Sequence, residues 1–157
     1  MTSTPVPGQH GARRPTRGHQ RALLRTACAL QHAVPTGYEA TVSWAWTTSA
    51  GELVPDVLVH RVDDDLAHDA QALASTPVLA VDVIDVRADD LVTASGRYAV
   101  AGLEHYWVLD PLEGTFDAFR WAGGDIERGV SLRRDDPPTE VSFGVASVTI
   151  DVAALLG

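Results

Sequence analysis

The order of apolar and polar positions cuts the chain into short elements. Residues 17–32 place Ala22, Leu23, Cys28 and Leu30 near one stripe, with Leu24 and Ala27 beside it, which predicts an amphipathic helix. Pro35 and Gly37 end it. Residues 39–47 alternate, with Ala40, Val42, Trp44 and Trp46 on one set of positions and Thr41, Ser43 and Ala45 on the other, and predict one half-covered strand. A turn at Thr48 to Gly51 leads into a strand over residues 53–60. Pro55 has no N–H for a ladder, so it belongs at the start of that strand or on an open edge. Residues 61–76 read as loop. Asp63, Asp64 and Asp65 within them read as a solvated run, because adjacent acids do not converge on a metal from separate elements.

Residues 77–86 break the alternation. Val78, Leu79, Ala80, Val81, Val83 and Ile84 are apolar almost without interruption, the pattern of a strand covered on both faces. Asp82 sits in the middle of it. An unpaired ionised carboxyl costs several kcal/mol to desolvate, so Asp82 needs a cation, a hydrogen-bond network or a raised pKa.

Asp89 and Asp90 then read as the cap of a helix that runs to about Ala101 and stops at Gly102. Residues 105–110 form a strand and residues 115–121 its hairpin partner. Gly123 and Gly124 turn the chain into a short strand over residues 126–134. Residues 141–150 alternate as a last strand, and Asp151 caps a short terminal helix. The strand–helix–strand unit in the middle requires a crossover and therefore parallel neighbours. The remainder suits antiparallel pairing, so the expected class is α+β, around one mixed sheet.

Composition narrows the functions open to the chain. Its 157 residues suit one domain. No apolar run reaches the ~18 residues of a membrane span. Residues 1–16 carry Pro5, Pro7, Gly8, Gly11 and Pro15 and read as a mobile basic leader, with residues 17–157 as the single domain. No apolar segment follows the first arginines, so a secretory signal is not expected. Cys28 is the single cysteine, which excludes an internal disulfide and any multi-cysteine zinc site; it reads as a small buried hydrophobe. A cytoplasmic home follows. His19 and His105 have no partners at the spacing of a zinc site.

The charge is unevenly placed. Residues 1–25 hold Arg13, Arg14, Arg17, Arg21 and Arg25 and no acid, while the other seven arginines face 21 acids. A negative body does not suit sequence-independent binding to a polyanion, but the N-terminal arm could reach a phosphate backbone and makes DNA a candidate partner. All twelve basic residues are arginine, and the chain has no lysine.

Three segments carry a resemblance. Val54-Pro-Asp-Val-Leu-Val-His60 resembles the "PD" strand of the Uma-type putative restriction endonucleases, a branch of the PD-(D/E)XK nuclease superfamily. Val78-Leu-Ala-Val-Asp-Val-Ile84 resembles that family's next strand. Arg97-Tyr-Ala-Val-Ala-Gly-Leu-Glu-His-Tyr-Trp-Val-Leu-Asp-Pro111 is similar to its most specific segment. The likeness runs over roughly residues 17–157. It implies a restriction-endonuclease-like fold, a central mixed β-sheet flanked by helices, and an ancestral chemistry of phosphodiester hydrolysis assisted by Mg²⁺ or Mn²⁺. Carried over by position, the metal acids are Asp56 and Asp82.

The match breaks at the cation. Where the family has a lysine four residues before the tyrosine, this chain has Ala94, and Arg97 is the nearest basic residue on that helical face. Arginine can neutralise a phosphate oxygen but stays protonated and cannot act as a base. The family's usual glutamate is also shortened to Asp82. The resemblance therefore implies a nuclease-like domain with a degenerate site, acting as a binding or interaction module. Two alternatives stand beside it. One is a weak Mg²⁺-dependent DNA endonuclease in which Arg97 replaces the lysine. The other is a structural homodimer, with Trp44, Trp46, Trp107 and Trp121 supplying an apolar sheet face. Asp82 has its own alternative, as a buried acid paired with Arg87, Arg97 or a backbone N–H.

Overall fold

In a computed structural model, which describes residues 14–63, 66–84 and 96–157, the amphipathic stretch after Thr16 forms helix α1 (Arg17–Ala33). The Thr16 side chain accepts from the His19 amide at 3.1 Å and so satisfies one of the open donors of the first turn. The buried face is His19, Ala22, Leu23, Thr26, Ala27 and Leu30, a regular three- and four-residue spacing. Leu24 is 62% exposed and Cys28 is exposed too. The stripe is therefore rotated from the expected one. Thr26 closes it, and Cys28 is left outside as an accessible thiol rather than a core residue.

Among the described residues eleven strands follow: β1 (Tyr38–Val42), β2 (Ala45–Thr48), β3 (Gly51–Leu53), β4 (Val57–Arg61), β5 (Ala72–Leu73), β6 (Leu79–Val83), β7 (His105–Asp110), β8 (Thr115–Ala122), β9 (Asp125–Arg133), β10 (Thr139–Ser142) and β11 (Ser147–Ile150); after them comes helix α2 (Val152–Leu156). Residues 96–100 are helical, and Gly102, at φ 92°, turns the chain out of them. The cap expected at Asp89 and Asp90 lies outside the described residues.

The main sheet has the order β1-β4-β6-β7-β8-β9. Only β6 and β7 are parallel; every other neighbour is antiparallel. That is the mixed sheet the crossover required. Asp110 tightens the β7–β8 turn, its carboxylate accepting from the amides of Leu112 and Glu113 at 3.0 Å each.

Three single strands of the sequence reading are broken. Residues 39–47 divide at Ser43, whose φ of 50° is left-handed and takes the chain out of the main sheet. Pro55 divides residues 53–60 for the reason that made it suspect: it cannot donate to the ladder, so β3 stops before it and β4 starts after it. Gly144, at φ 88°, folds residues 141–150 into the β10–β11 hairpin. The loop over residues 61–76 also holds a two-residue strand, β5, which pairs in parallel with β2. Strands β3, β2 and β5 make a small second sheet.

Strand alternation sends the sheet's side chains into two cores. Val57, Val59, Leu79, Val81, Val83, Trp107 and Leu109 pack with α1, β10, β11 and α2. Leu58, Ala80, Tyr106 and Val108 pack on the other face with Trp46, Leu53, Leu73 and Tyr98. Burying a single such side chain stabilises by about 1.5–3 kcal/mol, so both layers are held by the sheet's own residues. Trp46 and Trp107 are buried in different cores. The four tryptophans therefore do not share one exposed face.

Candidate functional site

Asp82 lies on β6 between Val81 and Val83, which face α1, so it points to the opposite face with Ala80. Tyr106 on β7 is level with Ala80 and shares that face. Tyr98 comes down on the same side from the helical turn 96–100. Both phenols end at one atom. The Tyr98 hydroxyl donates to Oδ2 of Asp82 at 2.9 Å and the Tyr106 hydroxyl to the same oxygen at 2.8 Å. The two rings lie 5.0 Å apart, centre to centre.

Asp56 occupies the step between Pro55 and β4. Freed from the ladder by the proline, its amide donates to Oδ1 of Asp82 at 3.3 Å, and its own Oδ2 accepts from the Val83 amide at 2.7 Å. The first turn of α1 completes the group: Nε2 of His19 is 3.4 Å from Oδ1 of Asp56. Asp82 is 2% exposed, His19 6% and Asp56 7%.

Burial, reinforced by the Asp82 charge, pushes both the Tyr98 and Tyr106 hydroxyls well above the usual tyrosine range. They are held as donors at all ordinary pH. A carboxylate has about four lone-pair directions, and those on Oδ2 of Asp82 are taken by the phenols. The Oδ1 atoms of the two aspartates already face the Asp56 amide and His19.

The donor type suits a hard divalent cation, since Mg²⁺ and Mn²⁺ prefer carboxylate oxygen and Mg²⁺ needs only one or two carboxylates beside its waters. The arrangement does not fit a preassembled centre. Oxygens that would ligate are used as hydrogen-bond acceptors, and among the described residues no group of three or more His, Cys, Asp or Glu side chains could hold a metal ion. As it stands, the group can fix two strands and a helix to one another and shield a pair of acids from water.

Asp56 and Asp82, picked from the sequence, thus come together. Arg97 is exposed on the helical turn, one position before buried Tyr98. Ala94 and Arg87 lie outside the described residues. The pairing of Asp82 with a backbone N–H is present, through the Asp56 amide. Three other members are not among the residues the sequence points to. Tyr98 and Tyr106 read as core aromatics, which they are; their hydroxyls carry the second role. His19 has no ligand near it in sequence, and its one signal is that it is a polar residue on the apolar stripe of α1.

Residues 6–153 match the Uma2 family, described as "Putative restriction endonuclease". A crystal structure of a putative nuclease belonging to DUF820 from Anabaena variabilis ATCC 29413 superposes with a TM-score of 0.74, covering 93% of this chain and 84% of that one at 15% identity. At that identity the likeness is one of fold. No curated protein matches the chain. A match spanning nearly the whole sequence, on a mixed sheet that brings the two aspartates together, makes this chain a member of the Uma2 putative restriction endonuclease family.

Proposed function

We propose that this domain is a restriction-endonuclease-like module whose acid pair has been withdrawn from catalysis, and that it acts by binding rather than by cutting DNA. The observation that carries the reading is the double occupation of Asp82 Oδ2 by Tyr98 and Tyr106 in a chain without lysine. A phosphodiesterase site needs a carboxylate open to its metal and a cation on the phosphate. Here the carboxylate is committed to hydroxyl and amide donors, and Arg97, the basic residue nearest the lysine position, is exposed. DNA is the partner this reading favours, through Arg13, Arg14 and Arg17 ahead of and at the start of α1. Arg25 is partly withdrawn from that role, since its guanidinium donates to the Ala154 carbonyl at 2.7 Å. The cytoplasm, where a DNA-binding module would meet its partner, is the expected compartment; among the described residues no helix is long and apolar enough to cross a membrane.

The test is plasmid nicking in Mg²⁺ and in Mn²⁺, beside a calorimetric titration of each ion. The expected result is no nicking above an Asp56→Ala control and no ion heat that Asp82→Asn removes. Robust nicking abolished by Asp56→Ala would overturn the reading.

One observation favours a second reading. The two acids do converge, as phosphodiester hydrolysis requires, and weak endonuclease activity with Arg97 in place of lysine would use them. In that case Arg97→Ala removes nicking and leaves the melting temperature unchanged.

A further inference from the structure

Strand β1 is one edge of the main sheet, opposite β9, and its register fixes which backbone groups point outward. The Ser43 amide bonds the Asp56 carbonyl at 3.0 Å and the Val62 amide bonds the Gly37 carbonyl at 2.8 Å. Stepping by two from these ends, Glu39 and Thr41 turn their backbone groups toward β4, and Ala40 and Val42 turn theirs away from the sheet. The outward amide of Ala40 is already used as an edge donor, to Oε1 of Gln31 at 2.9 Å. Beyond it, a cavity of about 590 Å³ lies along the edge, lined by Glu39, Thr41, Val42, Trp44, Leu66 and His68 among others.

The walls have two characters. Val42 is 47% exposed and lies on the α1 face of the sheet, level with Val57. On the other face stand Val62, 37% exposed, and the Glu39 carboxylate, 43% exposed and 3.6 Å from Nε2 of fully buried His60. Trp44 is fixed against His60, ring centres 5.2 Å apart, so its ring is a firm wall. Val62 is followed in sequence by three aspartates, and the body of the chain is strongly negative.

We infer that this groove takes an extended basic peptide segment, added as a further strand along β1 and alternating basic with apolar side chains. Strand addition draws its affinity from the main-chain groups of the edge and its specificity from alternate side chains. The edge supplies the Val42 amide and carbonyl. Basic side chains meet Glu39 on one face, and apolar ones cover Val42 on the other. Two features give the groove a defined length: Gln31 closes one end, and the left-handed turn at Ser43 closes the other. The inference stands apart from the acid pair, and loss of nicking or of ion binding has no bearing on it.

The probe is acetyl-Val-Arg-Val-Arg-Val-amide, titrated into the full-length protein and followed by amide shifts in NMR. Three results are expected. The Val42 amide moves saturably. Glu39→Gln weakens binding by at least about threefold, the scale of a partly exposed ion pair. A probe N-methylated at its central valine, which keeps every side chain but loses an edge hydrogen bond, binds at least about tenfold more weakly. Val42→Pro, which deletes an outward donor and no ladder bond, gives the same loss where circular dichroism shows it folded. An unmoved Val42 amide, an N-methylated probe that binds as well as its parent, or a glutamate-for-arginine probe that binds equally would each overturn the inference.

Discussion

The amide of Asp56 donates to Oδ1 of Asp82, and the carboxylate of Asp56 takes the amide one residue beyond Asp82. Each acid thus serves the backbone at the other's position. The pair closes the gap that Pro55 leaves in the ladder between β4 and β6, which makes it part of the sheet's framework.

Removing one side chain should therefore register as stability. In Asp56→Ala the Val83 amide is left buried without its acceptor, at a cost of about 1–3 kcal/mol. Urea denaturation should show the midpoint falling with the m-value unchanged. A variant as stable as the parent would remove Asp56 from the sheet's framework.

Tyr98→Phe and Tyr106→Phe each delete one hydrogen bond to a charged acceptor and keep the ring. Each should cost about 1.5–3 kcal/mol in the same measurement. Because both hydroxyls meet one oxygen, the double variant should depart from the sum of the singles by at least about 0.5 kcal/mol. Simple additivity would mean that the two phenols act independently.

The phenols also set an alkaline limit. Folding raises the Tyr98 and Tyr106 pKa values above the ordinary 10.0, first through burial. Below that pH both states hold the proton and nothing changes. Above it the unfolded chain loses protons that the native state keeps, so stability falls as pH rises through and beyond about 10. Absorbance titration of tyrosinate should show two of the three tyrosines ionising only with unfolding.

On the acid side the group to watch is His105, half-buried beside Gly144. Desolvation lowers its pKa from 6.5, outweighing the opposing pull of Glu104. The unfolded chain then takes up a proton that the native state refuses, so this contribution is present above pH 6.5 and is lost as pH falls through the lowered value. The midpoint of urea unfolding should drop less between pH 7 and pH 5 in His105→Gln than in the parent. Equal slopes would exclude His105 from the acid limb.

Cys28 gives a test of the helix face. An exposed thiol on a folded helix should react with a chromogenic disulfide reagent at one equivalent per chain while the circular dichroism spectrum holds. Protection until denaturant is added would put Cys28 back in the core.

Much of this was legible from residue pattern. The continuous apolar run around Asp82 announces a strand covered on both faces, and the acid within it announces a network. The crossover to residues 105–110 announces the parallel pair. What pattern does not carry is a change of sheet inside one alternating run. Ser43 is a polar residue in a polar slot, and nothing marks its left-handed backbone. The position of His19 is likewise set by where α1 lands, a tertiary fact. Gly144 did carry a signal, since a glycine between two alternating halves favours a hairpin. The acid pair was visible as two motifs, but the hydroxyls that occupy it were hidden by the aptitude of tyrosine for ordinary cores.

Around Ser43 and again around Pro55, the chain passes from one sheet to the other, and the Ser43 amide is bonded to the Asp56 carbonyl where the two passages meet. The layers are stitched at that knot. Any force or partner that pried the small sheet off the large one would tug first on Asp56, so the loosening of one layer would be felt at the carboxylates before the rest of the domain gave way.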